Sequence, residues 1–402
     1  MKSEKTIVRG LVVLMSLMWL IGLTVSCSND EETANGQTEA PEVPVGDAPV
    51  AEVRSFVTFF DEYIAQTRAW SPPSGFAAYE NGDQPIGIAF TNDGEDPIIG
   101  TFYKSGGKWH FNVADPSKSV EDITGGTYYL YGYIPNIDIK NLSVTDLEGN
   151  KAKFSEGAKV VLTNMPNALG KDLCVVIGAK EGQDADHDKG LRQGDFSYRA
   201  TAIEKNSGEP DGNYVFLLFD HLYAALSIYM KVDADYANLR TIKLKRLELS
   251  TMKGESATSQ KTTITIDLKA TEDGSVSPIQ SITYTPQGGS AGSGHEFWSS
   301  AAGEELETDY NSAPFTGYFM PDDITTLVLT SEYDVYDKET PEPNLIRKGC
   351  KATNTLVLRD LMGPYFSGTE RGYKYTLRMT IQPTYLYVLS DPDLDNPTVT
   401  VE

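Results

Sequence analysis

Four histidines, His110, His187, His221 and His295, are the first places to look for acid–base or metal chemistry in this 402-residue chain. None belongs to an HExxH pair, and the chain has no P-loop or Gly-rich dinucleotide fingerprint. His110 sits in the alternating run GKWHFNV and His221 follows the apolar run NYVFLLFD, positions that suit structural side chains. One acidic loop has suggestive spacing. Asp184, Asp186 and Asp188 alternate, Gly190 follows, and Asp195 stands at the twelfth position counted from Asp184. Calcium loops use alternating side-chain oxygens and a later acidic ligand. Here the glycine comes one position late and Asp replaces the bidentate Glu, so a solvated surface loop is the simpler reading. Asp391, Asp393 and Asp395 repeat the pattern more weakly, with Pro392 and Pro397 stiffening the turn. No pair of carboxylates stands out for catalysis. The expectation is a protein that is not an enzyme, with no catalytic residue, no metal site and no cofactor.

The clearest chemistry belongs to a thiol. Lys2, Lys5 and Arg9 open the chain, and an apolar run from Leu11 to Val25 follows. That run is shorter than the roughly 20 residues a membrane-crossing helix needs, and a basic start with a short apolar stretch describes a secretory signal. It ends Leu23-Thr24-Val25-Ser26-Cys27, close to a bacterial lipobox, with Leu four residues before the cysteine rather than three. Residues 1–26 are therefore read as a lipoprotein signal peptide and Cys27 as the lipidated residue, which would anchor the chain in the outer membrane. A soluble secreted product is the alternative. Ser28-Asn29-Asp30-Glu31-Glu32 resembles an acidic signal for export to the outer face of that membrane. Residues 27–50 carry Pro, Gly, Ala and acids without a large aromatic, and are expected to form a flexible tether. The remaining cysteines, Cys174 and Cys350, are read as two idle thiols, a disulfide between them being the alternative.

The formal net charge is −23, and cleavage of the basic signal would make the chain more negative still. Such a surface repels phosphate backbones, and no basic stripe offsets it, so nucleic acid is excluded as a partner.

The elements expected to position these residues are strands. Runs of about four to nine apolar or alternating residues are separated by Gly, Pro, Asn and Asp, the pattern of sandwiches and barrels. In the first half strands are predicted near 53–60, 86–91, 97–103, 107–113, 126–134, 158–163 and 172–179. In the second half they are predicted near 213–218, 222–232, 241–250, 261–268, 280–284, 314–320, 325–332, 352–358, 373–380, 384–389 and 397–401. Alternation is cleanest in KTTITIDL, as in an antiparallel sheet with one solvated face. No stretch after the signal keeps a helical period for three turns. The Gly/Pro/Asp-rich break at 205–212 suggests a boundary between residues 51–210 and 211–402, and the polar stretch 285–313 reads as a long loop.

Several short segments, in order, resemble the Bacteroidetes fimbrillin-like proteins, the subunits of type V pili. The first predicted strand leads into Gln66-Thr67-Arg68-Ala69, and Gly82-Asp83-Gln84-Pro85-Ile86-Gly87-Ile88 comes next. Phe219-Asp220-His221-Leu222-Tyr223-Ala224-Ala225-Leu226 and the ending Gly372-Tyr373-Lys374-Tyr375-Thr376-Leu377 with Pro383-Thr384-Tyr385-Leu386-Tyr387-Val388-Leu389 complete the resemblance. It implies an all-β chain of two tandem transthyretin-like β-sandwich domains. It also implies removal of the N-terminal segment by an arginine-specific surface protease, with Arg68 the better cut site and Arg54 the poorer because it lies inside the predicted strand. The groove left behind, lined in the intact chain by Phe56, Val57, Phe59 and Phe60, would receive a strand from another pilus subunit. The segment 384–402 would be the corresponding donor. Stalk, tip and anchor roles stay open. The alternative is a non-polymerising surface lipoprotein that binds a glycan or host ligand, with Trp70, Tyr128, Tyr129 or Trp298 as stacking platforms.

Overall fold

The computed structural model describes residues 52–62, 75–80, 82–123, 127–182, 202–204, 214–253, 256–257, 261–269, 277–287, 294–321, 326–338, 344–363, 366–383 and 392–401. Cys27, the tether, Arg68, Trp70, the 184–195 loop, His187, Asp391 and the predicted strand 384–389 lie outside these residues. All the described residues belong to one compact unit, Val43–Glu402.

The expected all-β class holds. Among the described residues the α-helices are single short turns, Ala234–Ala237 and Leu358–Met362, and everything else of length is strand. Four sheets face one another in two pairs. The first sheet has nine strands, ordered from Phe76–Ala78 through Glu52–Thr58, Tyr214–His221, Cys174–Gly182, Thr127–Ile134, Ile86–Thr91 and Ile98–Ser105 to Lys108–Val113, with Ala202–Glu204 also on Thr127–Ile134. One of its faces packs on a four-stranded sheet, Ile279–Pro286, Lys261–Lys269, Gly157–Pro166 and Leu142–Thr145. Tyr131, Tyr133, Phe216 and Leu218 meet Val160, Leu162, Ile264 and Ile266 in that interior. Val53 near one end of the large sheet shares a second core with Trp109 and Phe111 at the other, so the sheet curls around its opposite face.

The second pair joins a six-stranded and a five-stranded sheet. Leu226, Ile228, Tyr375 and Leu377 from the former meet Leu247, Leu249, Leu327 and Leu329 from the latter. The segment 205–212 lies outside the described residues, and strands on its two sides pair with each other. Lys261–Lys269 lies along Gly157–Pro166, and Glu52–Thr58 along Tyr214–His221.

Sequence period explains the local choices. In Lys261–Lys269, Thr262, Ile264, Ile266 and Leu268 are buried while their neighbours face outward, the signature of a strand wetted on one side. Tyr214–His221 is apolar at successive positions because both its faces are covered: Val215, Leu217 and Phe219 enter one core, Phe216 and Leu218 the other. One expectation fails. The stretch 285–313 is not a long loop, because His295–Glu305 is a strand on Arg240–Lys253. Only Phe297 is buried along it, and Gly303 takes φ 82° beside a register shift, so no alternation is visible in HEFWSSAAGEE. Asn344–Val357 likewise starts well before the predicted 352, since its first residues are exposed.

Candidate functional site

The N-terminal strand, β1 (Glu52–Thr58), lies parallel to Tyr214–His221 with Glu52 opposite Tyr214 and Val57 opposite Phe219. Its outer edge is covered by β3 (Phe76–Ala78), which pairs only with Phe56–Thr58. Strand parity splits its side chains between two cores. Val53 and Val57 join the curled interior, whereas Phe56 points into the space between the facing sheets. There the Phe56 ring meets Phe76 edge-on at 5.6 Å and Phe216 at 6.3 Å. Of the side chains expected to pack in a core, Phe56 and Val57 do so. Phe59 does not and is 47% exposed, because the strand ends at Thr58 and the chain turns toward the other sandwich.

Beyond that turn, β2 (Asp61–Glu62) pairs parallel with Tyr373 and Lys374 at the edge of the six-stranded sheet, and Asp61 N–H donates to the Gly372 carbonyl at 2.8 Å. Eleven residues, 52–62, thus add a strand to each sandwich. They run beside a second crossing, in which Tyr214–His221 of the first sandwich continues through Leu222 and Tyr223 into Ala224–Val232 of the second.

A buried polar cluster closes the end of the β1 seat, where the two crossings meet. The His221 side chain, 1% exposed, has Nδ1 2.6 Å from Asp172 Oδ2 and Nε2 2.7 Å from the Thr58 carbonyl. A carbonyl oxygen only accepts, so Nε2 carries a proton. A proton on Nδ1 as well lets that nitrogen donate to Asp172 Oδ2, a charge-assisted hydrogen bond. Burial alone would push the imidazole down. The Asp172 charge and hydrogen bond, the Asp220 charge and the Thr58 carbonyl outweigh it and raise the pKa above the ordinary 6.5.

Phe60 stacks on the imidazole, centroids 3.6 Å apart at 22°, a favourable arrangement for a cationic ring. Thr58 Oγ1 donates to Asp220 Oδ1 at 2.9 Å, and Arg371 Nη1 donates to Asp220 Oδ2 at 2.9 Å and to the His221 carbonyl at 3.0 Å. The cluster therefore clamps the N-terminal segment through backbone, hydroxyl and ring at once.

The sequence reading of His221 as structural agrees with its burial. It did not reveal Asp172, Asp220 or Arg371 as its partners, since they meet only when strands far apart in the chain are paired. The adjacent Asp220-His221 at the end of an otherwise apolar run was the one local signal. Asp172, Cys174 and His221 also place potential metal-ligand atoms within 4.8 Å of one another, but both imidazole nitrogens already have hydrogen-bond partners. Of the aromatics proposed for glycan stacking, Tyr128 is buried and Trp298 packs on Phe315 with centroids at 4.7 Å. The end of the proposed donor, Pro392–Val401, pairs with Tyr373–Pro383 of its own chain.

No family model matches the chain, and no curated protein matches it. Solved structures with a similar arrangement include a protein assigned to cell adhesion from Bacteroides uniformis, at 12% identity and TM-score 0.33, covering 90% of this chain and 98% of that one. A fimbrial protein from Bacteroides vulgatus is 13% identical, with TM-score 0.30 and coverage of 79% and 91%. The fimbrial anchor protein Mfa2 from Porphyromonas gingivalis is 10% identical, with TM-score 0.23 and coverage of 88% and 95%. At these TM-scores the likenesses carry no weight for function.

Proposed function

We propose that this chain is a structural subunit of a cell-surface fimbria, held in the outer membrane through lipid on Cys27 until an arginine-specific protease cuts at Arg68. The observation that carries the reading is the placement of β1. It fills a slot between Tyr214–His221 and Phe76–Ala78 with side chains in two cores, yet it enters from the N-terminal end of the chain. Loss of such a strand uncovers both apolar surface and unpaired ladder groups on Tyr214–His221, and a strand from a neighbouring subunit restores both. Full burial of one side chain such as Phe56 or Val53 stabilises by roughly 1.5–3 kcal/mol. Several together are a large fraction of the roughly 5–15 kcal/mol that holds a domain folded, so an empty slot is under strong pressure to be refilled.

The segment 384–402 is this chain's own donor to another subunit. Its described part is docked on Tyr373–Pro383, and donation requires it to leave that edge. The test is the state of the protein on its native cell. A mature N-terminus at Ala69 in assembled material, with Arg68→Ala protein remaining monomeric, is the expected result. Assembly by Arg68→Ala protein with residues 52–62 still attached would overturn the reading.

A further inference from the structure

The clamp at the end of the β1 seat makes demands that not every strand can meet. Any strand supplies a carbonyl for His221 Nε2. Only Ser or Thr at the position of Thr58 supplies a side-chain hydroxyl for Asp220 Oδ1, and only an aromatic residue at the position of Phe60 covers the imidazole. Without the hydroxyl, Asp220 keeps the His221 N–H at 2.9 Å on Oδ1 and Arg371 on Oδ2, so the loss is partial. Without the ring, one face of the imidazole in the buried His221–Asp172 hydrogen bond is uncovered, and the stacking is lost as well. The aromatic position is the stronger determinant. The register fixes the rest: a parallel strand with apolar residues where Val53 and Phe56 stand and a small one at Ser55, which is 7% exposed.

The chain's own C-terminal segment does not meet these demands. In TYLYVLSDPDLDNPTVTVE, residues 384–402, no Ser or Thr is followed two positions later by an aromatic residue. Thr384 is followed by Leu386, Ser390 by Pro392, Thr398 by Thr400 and Thr400 by Glu402.

We propose that the seat of β1 is a peptide-binding site for a parallel strand carrying Ser or Thr followed two residues later by an aromatic, and that this strand comes from a different subunit rather than from a second copy of this chain. The inference rests on the strand-exchange reading above and names its partner: the chain joins a mixed assembly and does not polymerise with itself.

The experiment uses the full mature chain with a single protease recognition sequence placed at Arg68, nicked so that residues 52–62 stay bound without a covalent link. Labelled peptides are then exchanged in. The 52–62 peptide is expected to enter, its Phe60→Ala form to bind at least tenfold more weakly, and its Thr58→Val form to be weakened less. The 384–402 peptide is expected not to displace the resident segment. Entry of 384–402 as tight as that of 52–62, or Phe60→Ala binding equal to the native peptide, overturns the proposal. Because these changes are in the peptide, the protein's own folding is not at issue. If no peptide enters, strand exchange itself fails. The clamp is then judged by release of the resident segment, which Phe60→Ala in the nicked chain must accelerate at least tenfold; unchanged release overturns it.

Discussion

His221 holds Thr58 across 163 positions of sequence, its Nε2 donating to the Thr58 carbonyl at 2.7 Å while Nδ1 faces Asp172 at 2.6 Å. The titratable and charged groups around the imidazole are Asp172, Cys174, Asp220, Asp61 and Arg371. The pKa is raised in the folded protein, so protonation favours the folded, clamped state. That contribution is complete below the ordinary value of 6.5 and is lost as pH rises through the raised folded value. The stability gap between wild type and His221→Gln, followed by thermal unfolding from pH 5 to 8.5, should therefore narrow toward the alkaline end. Cys174, whose thiol burial pushes upward, stays protonated over that window and does not confuse the result. A gap that widens with pH would show that the imidazole is held neutral instead.

Phe56 is the side chain through which β1 reaches the space between the facing sheets, touching Phe76 and Phe216. Phe56→Ala leaves a void there and should cost about 3–5 kcal/mol, the usual range for such truncations. Phe59→Ala, three residues on but 47% exposed, should change stability by less than about 0.5 kcal/mol. Urea unfolding of the two variants side by side checks the contrast. Equal losses would mean that the chain does not turn out of the sheet after Thr58.

What the sequence made legible here was local. Lys261–Lys269 alternates, and one face is buried; Val215–Phe219 is apolar at every position, and both faces are buried. His295–Glu305 was illegible because a strand that buries one large side chain leaves no period to read. The seat of β1 was half legible. Its apolar residues marked a strand, but nothing in VRSFVTFF says that its neighbour is Tyr214–His221 or that the pairing is parallel. Asp172, Asp220 and Arg371 look like ordinary polar residues until the folded chain gathers them around one imidazole.

Gly132 and Gly87 show a constraint of a different kind, on the strand pair Thr127–Ile134 and Ile86–Thr91. A Cβ on Gly132 would run into the Gly87 carbonyl oxygen, and Ile88 Cδ1 would lie within 2.9 Å. Backbone in the middle of a nine-stranded sheet cannot step aside as a flexible side chain can. Gly132→Ala should therefore destabilise by about 1–3 kcal/mol or more, like other overpacked cores. Gly106→Ala, where a Cβ meets nothing within 4 Å, costs only the strain of φ 58°. Thermal melts that rank the two in the opposite order would refute the close approach.

The three cysteines are expected to behave in three ways. Cys27 follows the apolar run Leu11–Val25, and on the reading proposed above acylation there would convert it to an anchor, each buried methylene contributing about 0.8 kcal/mol. Cys27→Ala should leave an unprocessed precursor or release the protein from the membrane fraction, and mass spectrometry of membrane-bound wild type should find lipid on that residue. Unmodified Cys27 in mature, membrane-held protein would refute this. Cys174 and Cys350 are not joined in a disulfide, one lying in the nine-stranded sheet and the other in the five-stranded sheet. Cys174 is fully buried beside Asp172, and desolvation together with that carboxylate pushes its thiol well above the ordinary value, which suppresses the reactive thiolate. Cys350 is half-buried on Asn344–Val357. In protein that starts after Cys27, a thiol reagent at pH 8 should therefore label Cys350 under native conditions and reach Cys174 only on unfolding. Nicking at residue 68 followed by loss of residues 52–62 removes Thr58 and Phe60 from the cluster around Cys174, and should raise its labelling rate at least tenfold. Rapid labelling of Cys174 in the intact chain would mean that the β1 seat opens without any cut.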